Sequence, residues 1–249
     1  MNPNYAYLLV DLFCLSGPFF LSFHNSVSFY KSFKPLLYGL LFMLSIYLPW
    51  DILYTYWGIW NFNSTYTLQY RWFILPLEEW LFFIAVPFAC VFTFECVRYF
   101  KKTSPSNTFT KIASYTIVIS AAILCAYGCY KEHWYTFSAC LLCLGLLSFH
   151  MIRKTIYLGY FLFAWMILLI PFFISNGILT GIHFYKYALI NTSDIEITEA
   201  IVRYNNNFNL GIRIWSVPIE DFFYGLAMVL LTLTPYEYFR LKGKIKTQQ

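Results

Sequence analysis

Charge is what this sequence has least of. Asp, Glu, Lys and Arg make up 12% of its 249 residues, where a soluble globular chain carries about 25%. So few charges cannot cover a water-facing surface, which excludes a soluble enzyme and a disordered regulator. There is no GxGxxG and no P-loop, so a nucleotide site has no support. The lack of an aspartate-rich diphosphate motif weakens a prenyltransferase reading. No Lys lies in the last apolar stretch, which argues against a retinal Schiff base. His24, His133, His150 and His183 show no metal spacing and read as interfacial or loop residues. The start, MNPNYAYLLVDLF, lacks a positive n-region, so the first apolar stretch reads as a retained helix. The net charge of +5 does not signal nucleic acid, because the basic residues lie between long apolar stretches.

Apolar and aromatic residues take the place of charge. Hydrophobic residues are 59% and aromatics 23%, with a mean hydropathy of +0.57. This is the composition of an integral membrane protein, with lipid as its solvent. A spanning helix needs roughly 20 predominantly apolar residues. Seven stretches fit: 5–23, 36–54, 73–97, 112–130, 134–150, 156–175 and 214–239. Cys90, Cys125, Cys129, Cys140 and Cys143 fall inside them and read as packing residues, including the isolated CxxC of Cys140 and Cys143. With the N-terminus outside, twelve basic residues fall in inside segments: Lys31, Lys34, Arg98, Lys101, Lys102, Lys111, Arg153, Lys154, Arg240, Lys242, Lys244 and Lys246. Five fall outside: Arg71, Lys131, Lys186, Arg203 and Arg213. The positive-inside rule then gives seven helices in the inner (cytoplasmic) membrane, with the C-terminus cytoplasmic. The longest outer segment, 176–213, contains TSDIEITEAIVRYNNN and is expected to hold a short lid or surface helix.

The chain also repeats. With residues 71–98 set over 213–240, a constant offset of 142, every charged position meets one of the same sign. Arg71 matches Arg213, Glu78 matches Glu220, Glu79 matches Asp221, Glu95 matches Glu237 and Arg98 matches Arg240. Pro76 also matches Pro218. Helices three and seven therefore correspond and run in the same direction. The expected fold is all-α: two parallel three-helix repeats joined by a linker helix (3+1+3), about a pseudo-two-fold along the membrane normal. The boundaries read 1–100 for the first repeat, 101–133 for the linker and 134–249 for the second.

The paired acids carry the chemistry. Glu78, Glu79, Glu220 and Asp221 stand at the outer starts of two apolar helices, where charge is costly and faces the bundle interior. Helix capping accounts for one acid per helix. It accounts less well for two adjacent acids behind a Pro and before aromatics in both copies. Adjacent residues are about 100° apart on a helix. One acid is thus free to face the bundle while its neighbour pairs with Arg71 or Arg213. Carboxyls in an apolar pocket can deliver a proton and later accept one. Ring faces can stabilise a carbocation, and candidates are Trp60, Trp80, Phe83, Phe222, Phe223 and Tyr224. Asp51 and Asn176, at the corresponding ends of helices two and six, are placed to line the same pocket. Glu95 with Arg98, and Glu237 with Arg240, lie roughly 25 Å away along the helices and read as structural anchors.

These residues resemble a family. PWDILYTYWGIWNF followed by LPLEEWLFF is similar to the first domain of the heterodimer-type lycopene cyclases, and SNGILTG followed by GIRIWSVPIEDFFYG and YEYFR to the second. The resemblance covers nearly the whole chain, with both domains fused. It implies cyclisation of the ψ ends of lycopene to β-rings, and it carries the family's acidic motifs onto Glu78, Glu79, Glu220 and Asp221. Substrate contacts are expected from the aromatic candidates and from Asp51, Arg71, Asn176 and Arg213. The reaction is a net isomerisation, so no redox cofactor is demanded. Carotenoids are the implied ligands; oligomeric state and association with other carotenoid enzymes are left open. A carotenoid hydratase and a C50 carotenoid cyclase are the enzymatic alternatives. A small heptahelical proton-coupled transporter is the alternative of another class.

Overall fold

The computed structural model describes residues 2–192 and 197–246. The chain is mostly helical. Among the described residues there are seven α-helices: α1 (Ala6–Leu21), α2 (Phe33–Tyr56), α3 (Leu77–Phe100), α4 (Asn107–Lys131), α5 (Trp134–Ile152), α6 (Leu158–Thr180) and α7 (Glu220–Lys246). Each coincides with one of the seven apolar stretches. The first six are long and apolar enough to cross a membrane. Helix α7 carries acids near both ends, and its middle is buried continuously from Gly225 to Leu233. It packs on α2, α5 and α3.

The packing repeats as the sequence does. Helix α1 lies on α3 and α5 lies on α7, while α2 lies on α7 and α3 on α6. These four contacts exchange in pairs when α1, α2 and α3 are swapped for α5, α6 and α7. The second helix of each copy thus packs on the third helix of the other. Helix α4 sits to one side, against α5 and α6. Close approach of α2 and α7 depends on Gly39: a Cβ there would stand 2.3 Å from the carbonyl oxygen of Thr232.

Short strands cap one end of the bundle. Before α3, strands β2 (Arg71–Trp72) and β3 (Leu75–Pro76) form a hairpin with Arg71 opposite Pro76. Before α7, β6 (Ile212–Ile214) and β7 (Val217–Pro218) form the same hairpin, with Arg213 opposite Pro218. The register is identical at the offset of 142. Strand β4 (Ile190–Thr192) adds to β6. Strands β1 (Trp60–Phe62) and β5 (Val202–Tyr204) pair antiparallel around Asn61 and Arg203. Those two residues are also related by 142, so this pair sits where a two-fold axis would pass.

The outer segment differs from the expectation of a surface helix. Its described residues form strands and two 3-10 turns, Phe184–Lys186 and Asn206–Phe208; Ser193–Glu196 lie outside the described residues. Strand pairing satisfies the backbone amides that a helix would otherwise have used. His150 also differs from an interfacial reading. It is buried, and its ring nitrogens bond the hydroxyls of Thr155 and Thr234, each at 3.0 Å. At the same end, Arg98 bonds Glu95 and reaches Glu237 at 2.7 Å, and Arg240 bonds Glu237 at 3.0 Å. This ion cluster ties α3 to α7.

Gly39→Ala tests the α2–α7 contact. We expect a loss of about 1–3 kcal/mol from overpacking, read as a lower thermal unfolding midpoint in detergent.

Candidate active site

Both acidic motifs open a helix, where carboxylates complement the positive end of the helix dipole. Two adjacent residues in a first turn cannot point the same way, and the two acids of each motif separate accordingly. Glu78 turns back to the loop before the hairpin and accepts the Leu68 amide at 2.5 Å. Glu220 accepts the Leu210 amide at 2.8 Å and the Thr136 hydroxyl at 2.6 Å. Leu68 and Leu210 are again 142 apart. Glu79 and Asp221 point the other way, into a cavity of about 540 Å³.

The expected pairing of an acid with Arg71 or Arg213 is not found. Arg71 donates to the Ile74 carbonyl at 2.9 Å, and Arg213 donates to the Ser216 carbonyl, also at 2.9 Å. Both guanidiniums brace a hairpin turn, whose tips include the left-handed residues Phe73, Ile74 and Trp215. The turn carbonyls lie nearer than the carboxyls, which the amides already occupy.

The cavity has a polar end and an apolar body. Glu79 accepts the Tyr7 hydroxyl at 2.5 Å. Asp51 stands nearby and accepts the Trp60 indole N–H at 2.6 Å, while its other oxygen is buried without a partner. Three donors converge on Asp221: the Tyr135 hydroxyl, the Asn176 amide at 2.7 Å and the Tyr204 hydroxyl at 3.1 Å. Burial, with the Asp221 charge adding to it, pushes the Tyr204 phenol well above its ordinary range, so it remains a donor. The rings of Trp60 and Tyr135 pack on each other and on those of Tyr204 and Tyr224, with centroids 5.2–6.3 Å apart. Farther in, Phe82, Val86, Trp165, Leu168, Phe172 and Met228 supply an apolar wall. The cavity opens sideways between α1 and α6, where Phe13 and Ile170 line it and are 76% and 70% exposed on the bundle's outer face.

Of the residues singled out in the sequence, Glu79, Asp221, Asp51, Trp60, Asn176 and Tyr224 line this cavity. Glu78, Glu220, Arg71 and Arg213 hold the surrounding loops. Trp80 stacks outside on Trp72 at 4.8 Å. Phe83 and Phe223 are buried in the core, and Phe222 packs edge-on against Trp165 at 5.7 Å. Sequence reasoning passed over Tyr7, Tyr135 and Tyr204. Among 22 tyrosines they carried no motif, and their distance along the chain from the acids hid them.

An apolar, laterally open cavity in a bundle of membrane-type helices, with carboxyls and ring faces gathered at one end, is the setting of a membrane enzyme that acts on an apolar substrate. The chain belongs to the lycopene cyclase family: the model of that family matches residues 4–97 and 132–239. Membership makes it an enzyme of carotenoid cyclisation, acting on carotenoids. No curated protein and no solved structure matches the chain.

The division of the acids is open to test. Glu220→Ala strips the acceptor from the Leu210 amide and the Thr136 hydroxyl. Each buried orphan costs about 1–3 kcal/mol, so the unfolding midpoint should drop. Glu220→Gln keeps an acceptor oxygen and should lose much less in the same assay.

Proposed function

We propose that this chain is a lycopene β-cyclase, closing the ψ ends of lycopene to β-rings by acid–base chemistry with Glu79 and Asp221. The observation that carries the reading is the unequal surroundings of these two acids. Asp221 receives three hydrogen-bond donors, a setting suited to an ionised carboxylate, which only accepts. Glu79 has one donor and Asp51 as a close carboxyl neighbour, and like charges so near one another cannot all ionise. Glu79 therefore serves as the acid and Asp221 as the base.

The reaction balances without electron transfer. Glu79 protonates C2 of the terminal double bond and leaves a cation at C1. The C5=C6 bond attacks C1 and moves the charge to C5. Asp221 removes the C6 proton, giving the β-ring. The faces of Trp60, Tyr135 and Tyr224 stabilise the passing charge, and the dry wall keeps water from capturing it. That wall favours cyclase over hydratase. Placement of the acids at one end, away from the bundle's middle, counts against a proton-coupled transporter. The cavity is within the usual range for ligand sites, roughly 300–1,000 Å³, and suits one end group with the polyene leaving through the gap between α1 and α6. Cyclisation of both ends then takes two visits.

In this reading α7 is the seventh crossing and the architecture is 3+1+3, with the repeats at 1–100 and 134–249. The basic segments place the N-terminus outside and the C-terminus in the cytoplasm, in the inner membrane. The strand cap and the acids then lie toward the outer face.

The test is expression in a bacterial host that accumulates lycopene, followed by chromatography and mass measurement of the pigments. We expect β-carotene, with monocyclic γ-carotene before it, at unchanged mass. Glu79→Gln and Asp221→Asn should each lower ring formation by about 10²-fold or more at normal protein level. Full activity in both variants, or a hydroxylated product from the parent chain, would overturn the reading.

A further inference from the structure

Asp11 is the buried acid that this mechanism does not use. It lies on α1, one turn beyond Tyr7, with none of its surface exposed. Neither carboxyl oxygen has a hydrogen-bond partner. Burying a polar group without one is costly, and an unmatched group of this kind calls for a reason other than packing.

The second copy shows that packing does not require it. Tyr7 on α1 and Tyr135 on α5 play equivalent parts, each donating to the cavity-facing acid of a motif. Four residues on from Tyr135, where Asp11 would correspond, stands Ala139, equally buried. The fold thus accepts a methyl group at this position. The extra carboxyl occurs only in the half that holds Glu79, and the acids whose field it feels are Glu79 and Glu78. A charge with no partner cannot be held there, so Asp11 rests as a neutral acid with a proton to give.

We infer that Asp11 is a reserve proton carrier that acts through Glu79, an inference that rests on the cyclase reading above. When Glu79 has protonated C2, its carboxylate takes the proton of the Tyr7 hydroxyl that already donates to it, and a swing of the unpartnered Asp11 carboxyl, one turn further along α1, onto Tyr7 replaces that proton. Tyr7 ends with the proton count it began with. Asp11 is recharged by the same route in reverse, from water that reaches Tyr7 at the cavity lining as the apolar product leaves. One proton enters the polyene at C2, one leaves C6 for Asp221, and Asp221 releases to water as many as Asp11 takes up. No electrons move. Asp11 does not line the cavity, so it touches no substrate.

The experiment compares Asp11→Asn with the parent in reconstituted membranes carrying lycopene. It is run once with enzyme in excess and once with substrate in excess. Asn is close in shape to a protonated Asp, so a role in packing alone survives the change. With enzyme in excess we expect rings to form at the parent rate. With substrate in excess we expect one ring per enzyme at that rate, then a steady rate lower by about tenfold or more. Asp11→Glu should keep most of the steady rate. Parent behaviour in both regimes, or an equal loss in both, would overturn the inference. The cyclase reading fails by a different result, a parent chain that forms no ring or a Glu79→Gln variant that still does.

Discussion

A carboxylate holding a backbone amide ten residues upstream is the contact on which the site depends. Glu78 makes it with Leu68 and Glu220 with Leu210. In both copies this bond folds the preceding loop over the helix start and fixes the rotation of the first turn. With the first acid committed to the loop, helical geometry turns the second about 100° away, into the cavity. The arginines complete the arrangement by holding the hairpin turns between loop and helix. On the cyclase reading the motif is thus a positioning device and a reactive group in consecutive residues, which gives a reason for two acids where a cap needs one.

The two copies share a frame and differ in what they put on it. Hairpin register, loop amide, turn-bracing arginine and tyrosine donor recur at matching places. The donors and acceptors around the inward acid do not. Asn176 stands at the end of α6 where Asp51 stands in α2, so one copy offers an amide donor and the other a second carboxyl. Tyr204 adds a further donor to Asp221, while its counterpart at the offset of 142 is Phe62, which has no hydroxyl to give Glu79. A symmetric pair of carboxyls would have no reason to hold different protonation states. On the cyclase reading, a few substitutions on a duplicated scaffold separate an acid from a base.

Much of the helical plan was legible in the sequence because it rests on long apolar runs, which report burial in lipid residue by residue. All seven helices fall on those runs, with ends shifted by a few residues where polar groups such as Asn107 and the C-terminal lysines continue a helix beyond the apolar part. The acids were legible because charge is rare here and the offset of 142 aligned them. Which acid faces inward was not legible, since adjacent positions look alike until the partner of one is known. Arg71 and Arg213 were misread as ion-pair partners because their true acceptors are backbone carbonyls, which no side-chain pattern displays. Tyr7 and Tyr135 sit some 70 to 90 residues from the acids they bond, and only the packing of α1 on α3 and of α5 on α7 brings them there. The segment 176–213 was expected to hold a short lid or surface helix, yet its described residues form short strands, one of which, β4, lays its edge on a hairpin.

The lateral opening bears on how such a site handles its substrate. On the cyclase reading, a polyene dissolved in the bilayer lies among acyl chains, and a passage between α1 and α6 would let it enter without crossing water. Pro18 and Pro171 line the cavity beside this gap. Each removes a backbone donor from its helix in the stretch where the wall has to part. The polar cluster lies at the end of the bundle capped by β1 and β5, whose residues Trp60 and Tyr204 form both the strand pair and the cavity lining. An end group reaching the acids therefore meets rings on several sides. On the cyclase reading, rings in place of water around the end group favour closure by the neighbouring double bond over capture by solvent. On that reading the strand cap, which no helix pattern foretold, is part of the chemistry.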